Sequence, residues 1–347
     1  MLNSEPKSPP KLPIDLSSSL LDVLVDSAHR TGFPIAGAVD IDLALADPNH
    51  LFQKHSEYYS QWIQQGYAGE MQYLVRGQER RMDPRNVFPK AQSVFCVALP
   101  YSTLPAGAAS SDQGPRYARY LRGPDYHIEM KDRLEQMMIE VKNRHPDFAT
   151  LEWKVCVDTS AILERTWAAL AGLGWIGKNT LLIHPKYGSY LLLGEVLINQ
   201  KTGQGPTPLP NFCGNCTRCL NACPTKALKN PYELNSTRCI SYWTLEKRGE
   251  LTLDEEDRKR IGTWVAGCDI CQEVCPFNLK RTKEEIALHS KTEIDAIHLN
   301  SWPELLTETE DAYKSRVKNS ALNRVKPEQF KRNLRIAVEN ASNKDIR

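Results

Sequence analysis

No apolar run in this 347-residue chain approaches the ~18 residues of a membrane span. The opening residues, Met-Leu-Asn-Ser-Glu-Pro-Lys, lack the apolar stretch of a secretory signal. Membrane and exported classes are therefore not expected, and the chain is expected in a reducing cytoplasm. An excess of charge is also missing: 44 Lys and Arg against 42 Asp and Glu leave +2, which alone assigns no partner. The length suffices for two domains, or for one large domain with an appendage.

Without export, disulfides give no account of the ten cysteines. Eight of them lie between Cys213 and Cys275. Cys213, Cys216, Cys219 and Cys223-Pro224 have the spacing C-x2-C-x2-C-x3-C-P, which is the ferredoxin pattern for [4Fe–4S] clusters, with the fourth cysteine serving the other cluster of a pair. A second run, Cys268, Cys271 and Cys275-Pro276, keeps the last three cysteines, has Val265 in place of the first, and leaves Cys239 over. The simplest repair completes two clusters. Cys213, Cys216 and Cys219 take Cys275; Cys239, Cys268 and Cys271 take Cys223. Two C-x2-C pairs can bind zinc, but a third cysteine at the same spacing followed by Cys-Pro is not a zinc pattern. Cys96 and Cys156 lie in apolar strand-like runs and read as structural.

Residues 1–15 read as a disordered lead-in, 16–200 as an α/β domain, 201–285 as a cluster module, and 286–347 as a helical end. LSSSLLDVLVDSAHRTG has helical periodicity with a glycine stop. FPIAGAVDI, SVFCVALPY and LEWKVCVD read as strands, 51–75, IEMKDRLEQMMIEVKNRH and ILERTWAALAGLG as helices, and TLLIHPKYGSYLLLGEVLIN as two strand-like runs. Pro105–Pro115 reads as a loop. This alternation predicts an α/β domain. FKRNLRIAVENASN looks like the start of a further helical unit that the chain does not complete. From Lys314 onward, ten Lys and Arg face only Glu328, Glu339 and Asp345. That balance suits either a solvated helix face or an anionic partner such as RNA.

Asp158 stands where the strand VCV ends and a helix is expected, a place where α/β sheets bind ligands. Position alone leaves open whether Asp158 or Thr159 merely caps that helix. Gly172 to Lys178 matches most of a phosphate-binding loop, but Asn179 replaces its Ser or Thr. A helix precedes it and a strand follows, the reverse of the required context. What remains is a glycine turn where backbone can approach a large flat ligand, as at Gly188-Ser189 and Gly194-Glu195.

Together, VDTSAILERTWAALAGLGWIGKNTLLI, GSYLLLGE, CGNCTRCLNACPTKAL, RCISYWTLE and GCDICQEVCPFN resemble the epoxyqueuosine reductases, over about Ala36 to Ala341. The resemblance implies a cobalamin-binding domain similar to nitroreductases, then a ferredoxin-like module with two [4Fe–4S] clusters and a short, HEAT-like helical end. It implies a monomeric cytoplasmic enzyme that removes the epoxide oxygen from epoxyqueuosine at the wobble position of tRNA. Electrons from a flavodoxin- or ferredoxin-like reductant would pass through the clusters to cobalamin. The family's catalytic aspartate falls on Asp158, acting as proton donor, so burial beside the corrin is expected to raise its pKa. Regions lining the corrin fall on Arg81, Gly177, Lys178, Asn179, Ser189, Glu246, Asp269 and Ile270. Arg116, Arg119, Arg122, Lys247 and Arg248 are candidates for tRNA phosphate contacts. A ferredoxin-type carrier is a second reading, against which about 200 residues precede the clusters. A cobalamin-dependent, dehalogenase-like reductase of a small molecule is a third. The basic end and the missing export signal weigh against it.

Overall fold

The computed structural model describes residues 19–101, 114–279 and 301–342. The expected lead-in, most of the Pro105–Pro115 loop and residues 286–300 of the helical end lie outside them. The described residues form eight strands, β1 (Ile35–Asp40), β2 (Ser93–Pro100), β3 (Arg116–Tyr117), β4 (Trp153–Cys156), β5 (Trp175–Ile176), β6 (Leu182–Ile183), β7 (Leu191–Ile198) and β8 (Trp264–Ala266).

The central sheet has the order β1-β2-β7-β4, and every neighbouring pair is antiparallel. The strand-and-helix alternation suggests α/β, but of the two forms in the expected α+β/α/β fold the sheet takes the α+β one. Alternation of strands and helices usually signals crossovers to parallel neighbours. In this chain, β7 returns between β2 and β4, opposite in direction to both.

Helices cover both faces, so β2 reads as an unbroken apolar run rather than an alternating one. One face packs Phe95, Val97, Val196 and Ile198 against the helices Leu20–Arg30 and Tyr126–Arg144. Met130, Leu134, Met137 and Val141 recur at helical spacing on the buried side of the latter, each worth roughly 1.5–3 kcal/mol of burial. The other face packs Val94, Cys96, Cys156 and Leu197 against the helix Glu164–Leu170, led by Trp167. Cys96 and Cys156 are thus core residues, as expected. The helix expected over 51–75 stops at Gln64 and resumes at Gln72, because Gly66 and Gly69 turn the chain at φ 72° and 56°.

The cluster module does not stand apart. Its strand β8 pairs in parallel with β3. The C-terminal helix Pro327–Ser342 lays Phe330, Leu334 and Ala337 on Tyr117, Leu121 and Val265. Asn333 Nδ2 donates to the carbonyls of Thr244 and Val265, both at 2.9 Å. The helix expected to begin a further unit therefore uses its apolar face to hold the module onto the sheet domain.

Candidate active site and cluster loops

Two residues beyond β4, Asp158 has φ 55°, a left-handed conformation that is rare for a non-glycine residue. The Thr159 N–H closes on Val157 O at 2.5 Å, which puts Asp158 at the tip of a three-residue turn. The next helix starts only at Glu164 and takes no side-chain cap, so neither Asp158 nor Thr159 caps it. The turn is held from below: Asp158 N–H donates to Glu164 Oε1 at 2.5 Å. Strained backbone of this kind collects at functional sites.

The Asp158 side chain, 46% exposed, meets His127 Nε2 at 3.0 Å. The other ring nitrogen of His127 lies 2.6 Å from Asp125 Oδ1, and Asp125 caps the helix Tyr126–Arg144 by accepting from His127 N–H. Asp125 thus fixes the ring so that Nε2 faces Asp158. Burial raises Asp158, but the bond and charge of His127, with Arg324 and Arg165, outweigh it and hold the carboxyl below its usual range. The expectation of a raised Asp158 is corrected, because basic neighbours beat desolvation here. Burial lowers His127, yet Asp158 and Asp125 outweigh it and hold the imidazole above 6.5. Beneath the turn, burial and then the Asp158 charge push Glu164 up to about 7. Glu195, wholly buried on β7, is pushed well above the carboxylate range by burial and then by Glu164.

Tyr73, Glu246 and Arg324 complete the rim. Arg324 pairs with Glu246, and Tyr73 senses Glu246, Arg324 and Asp158 together. Tyr120 is within electrostatic reach of Arg324, Asp158, Asp269 and Glu246, and so links the aspartate turn to the cluster module.

The eight module cysteines are all free thiols. Burial and then the thiols of Cys213, Cys275 and Cys216 raise Cys219. In the other set, burial and then Cys239 raise Cys268, while Cys223 acts on both Cys239 and Cys271. Cys219 thus has Cys213, Cys216 and Cys275 as neighbours, and Cys239 has Cys223 and Cys268, while Cys271 feels Cys239, Cys219 and Cys223. Among the described residues, no three His, Cys, Asp or Glu side chains converge on a single metal ion. The thiolate-forming donors suit a cluster core, which spans wider gaps than one ion.

The expected cobalamin residues fall in several places. Arg81 Nη1 donates back to Gly77 O at 3.1 Å within its own helical turn. Gly177, Lys178 and Asn179 form the turn of the β5–β6 hairpin, not a phosphate cradle. Lys178 Nζ donates to Gly214 O (2.6 Å) and Cys216 O (3.0 Å), on the first cluster loop. Glu246 is on the Asp158 rim. Ile270 packs into the cluster around Ile240 and Trp243, whereas Ser189 and Asp269 are joined through Gln272 at the seam between the sheet and the module. There Ser189 Oγ donates to Gln272 Oε1 at 3.0 Å, and Gln272 Nε2 donates to Asp269 Oδ1 at 3.1 Å. Asn278 clamps Ser189, accepting its N–H at 2.8 Å and donating to its hydroxyl at 3.0 Å.

Gly188 makes this clamp possible. It has φ +69°, and a Cβ there would stand 2.0 Å from Asn278 Oδ1. Gly188→Ala is expected to destabilise by about 1–3 kcal/mol and to loosen the module. Thermal unfolding with and without reconstituted clusters checks this.

The expected phosphate contacts are mostly engaged inside the protein. Arg116 pairs with Glu273 at 2.8 Å and stacks on Trp264. Arg119 and Arg122 are buried, with Arg119 N–H on Asp269 Oδ2 at 2.7 Å and Arg122 Nη2 on Tyr117 O at 2.8 Å. Lys247 pairs with Glu70, and Arg248 reaches Gln329. At the seam, Arg122 Nη1 and the Tyr190 hydroxyl are buried without a hydrogen-bond partner among the described residues. Such unused donors fit a large ligand rich in amide and hydroxyl acceptors, as cobalamin is.

A strained aspartate backed by histidine, joined through a polar seam to a module of eight free cysteines, points to an iron–sulfur oxidoreductase. Comparison with known proteins narrows the class. Residues 212–278 match the 4Fe-4S double cluster binding domain, and residues 81–159 match "Epoxyqueuosine reductase QueG, DUF1730". The epoxyqueuosine reductase of a Synechocystis species is 38% identical over 281 residues, covering 80% of this chain and 93% of its own. That of Pseudomonas aeruginosa is 33% identical, covering 93% and 86%. A crystal structure of epoxyqueuosine reductase with an epoxyqueuosine-modified tRNA-Tyr stem loop has a TM-score of 0.76 at 30% identity, covering 92% of this chain and 80% of its own. The chain belongs to the epoxyqueuosine reductase family, whose members use iron–sulfur clusters and cobalamin.

Sequence reasoning missed His127, Asp125, Glu164 and Tyr120, took Gly194-Glu195 for a turn where β7 runs straight through, and noted Arg324 only as part of a basic end. Only the Gly-Pro-Asp-Tyr-His stretch carried a signal, as an aspartate before a helix.

Proposed function

We propose that Asp158 and His127 together deliver protons to epoxyqueuosine in tRNA while its epoxide oxygen leaves. Opening the ring to the alkene of queuosine and releasing the oxygen as water takes two electrons and two protons. Bound cobalamin supplies a strongly reducing and nucleophilic cobalt, and the clusters supply single electrons. Arg122 and Tyr190 at the seam, with Ser189, are the residues we assign to hold it.

The observation that carries this reading is the His127–Asp158 bond at the tip of a strained turn. An ionised Asp158 alone is a poor acid at neutral pH. Beside a histidine held above its usual pKa, it shares a proton that either partner can carry. As that proton goes to the leaving oxygen, the pair is left with Asp125 orienting a neutral ring, which takes the second proton from solvent and passes it on as the oxygen leaves as water. Glu246 and Arg324 form the opposite rim, where an anionic nucleic acid would meet the arginine. The resemblance to the stem-loop complex supports tRNA as the substrate.

The test is a pH profile. The pair holds its proton below the raised pKa of His127 and loses it as pH rises through that value. kcat is therefore expected to fall on the alkaline side, above about 6.5. Asp125→Asn removes one charge that raises His127, so the limb is expected to move to lower pH. An unmoved limb removes His127 from the proton path.

A further inference from the structure

We infer that the exposed face over the first cluster loop is the docking surface for an acidic, one-electron carrier protein. This rests on the electron-accepting role of the clusters proposed above. Of the first cluster's ligands, Cys213, Cys216 and Cys219 lie on a loop whose intervening residues, Gly214, Asn215, Thr217 and Arg218, are all exposed. In the second set, by contrast, Asp269 and Gln272 beside Cys268 and Cys271 are buried. Electrons from outside therefore reach the first loop more directly.

The surface there has the composition of a protein contact. From Val196 to Tyr232 the chain contains no Asp or Glu, while Arg218, Lys226 and Lys229 are exposed. Among them stand large exposed aromatics: Phe212 at 53%, Tyr232 at 43% and Tyr58 at 57%. They share one face, since Asn211 Nδ2 donates to the Tyr232 hydroxyl at 3.0 Å and Tyr232 senses Tyr58. Phe212 is packed edge-on against Trp175 at 5.0 Å, and Trp175 is buried with Cys275 and packs against Cys213. An aromatic centre with a basic rim suits a small, weak electron-transfer interface in which charge steers the encounter. The complementary partner is acidic. Each encounter moves one electron: the carrier is oxidised by one, and the cluster is reduced from its 2+ to its 1+ state.

The test follows cluster bleaching in the full-length, cluster-loaded protein, with reduced flavodoxin as the acidic carrier and reduced methyl viologen as a small cationic donor. It needs neither cobalamin nor tRNA, so it stands apart from the test of the proton pair. Arg218→Glu/Lys229→Glu, with Lys229→Glu alone as the variant outside the cysteine loop, is expected to slow reduction by flavodoxin about 10-fold at low salt. The difference should shrink at high salt, and methyl viologen should reduce the variants at least as fast as the parent. An unchanged flavodoxin rate overturns the proposal. So does an equal loss with both donors, which would mean that the charges only balance the cluster. Loss of stem-loop binding with unchanged flavodoxin reduction would assign the face to RNA instead and also overturn it.

Discussion

Asp158→Asn is expected to lower turnover by about 10²–10⁴, the usual contribution of a positioned general acid, while iron and cobalamin contents stay at parent values. Asparagine is the informative replacement because of the backbone. Asp158 sits at φ 55°, and asparagine tolerates the left-handed region better than other non-glycine residues. The turn, and its N–H bond to Glu164, should survive while the acid is lost. Asp158→Ala adds backbone strain to the loss of the carboxyl, so an effect of alanine beyond that of asparagine measures the turn rather than the chemistry. A single-turnover assay that follows loss of one oxygen mass from the tRNA base checks both. An asparagine variant within a few-fold of the parent would remove Asp158 from proton delivery and leave it a positioning role.

What the sequence made legible was local. Cysteine spacing, the unbroken run of β2 and the periodicity of the helix Tyr126–Arg144 are each contained in one short segment, and each appears in the fold. What it hid was long-range. Arg116, Arg119 and Arg122 look in sequence like a basic patch for phosphate, but the acids that meet them, Glu273 and Asp269, lie 157 and 150 positions away. Arg116 and the backbone of Arg119 fasten the module to the sheet domain instead, and Arg122 turns back onto Tyr117 O. Strand direction was hidden for a similar reason, since alternating elements look alike whether the chain returns parallel or antiparallel. The pKa of Asp158 needed the most information. Desolvation could be guessed from the strand end, but the opposing His127 is 31 positions upstream and Arg324 belongs to the C-terminal region. Lys178 is an intermediate case. Its turn was legible as a turn and its phosphate-loop reading could be refused from context, yet nothing local indicated that its ammonium would hold two carbonyls of a cluster loop.

Loss of either crossing cysteine is expected to remove one whole cluster and to abolish turnover. The two expected ligand sets interleave along the chain, so local and crossed assignments predict different partners. If each run served its own cluster, Cys223→Ala would damage the same centre as Cys213→Ala. In the structure Cys219 is raised, after burial, by Cys213, Cys275 and Cys216, and Cys239 by Cys223, while Cys271 feels Cys239, Cys219 and Cys223; the crossed assignment is the one the ferredoxin spacing predicts. Cys275→Ala should therefore lose the centre that Cys213→Ala loses, and Cys223→Ala the centre that Cys239→Ala loses. Iron is expected to fall from about eight to about four per chain in each variant, because a cluster missing a thiolate is poorly held. Electron paramagnetic resonance of the reduced proteins then sorts the four variants into two pairs by which signal survives. Sorting Cys223 with Cys213 would overturn the crossed assignment. Survival of both signals in Cys239→Ala would leave that cysteine without the ligand role on which two complete clusters depend.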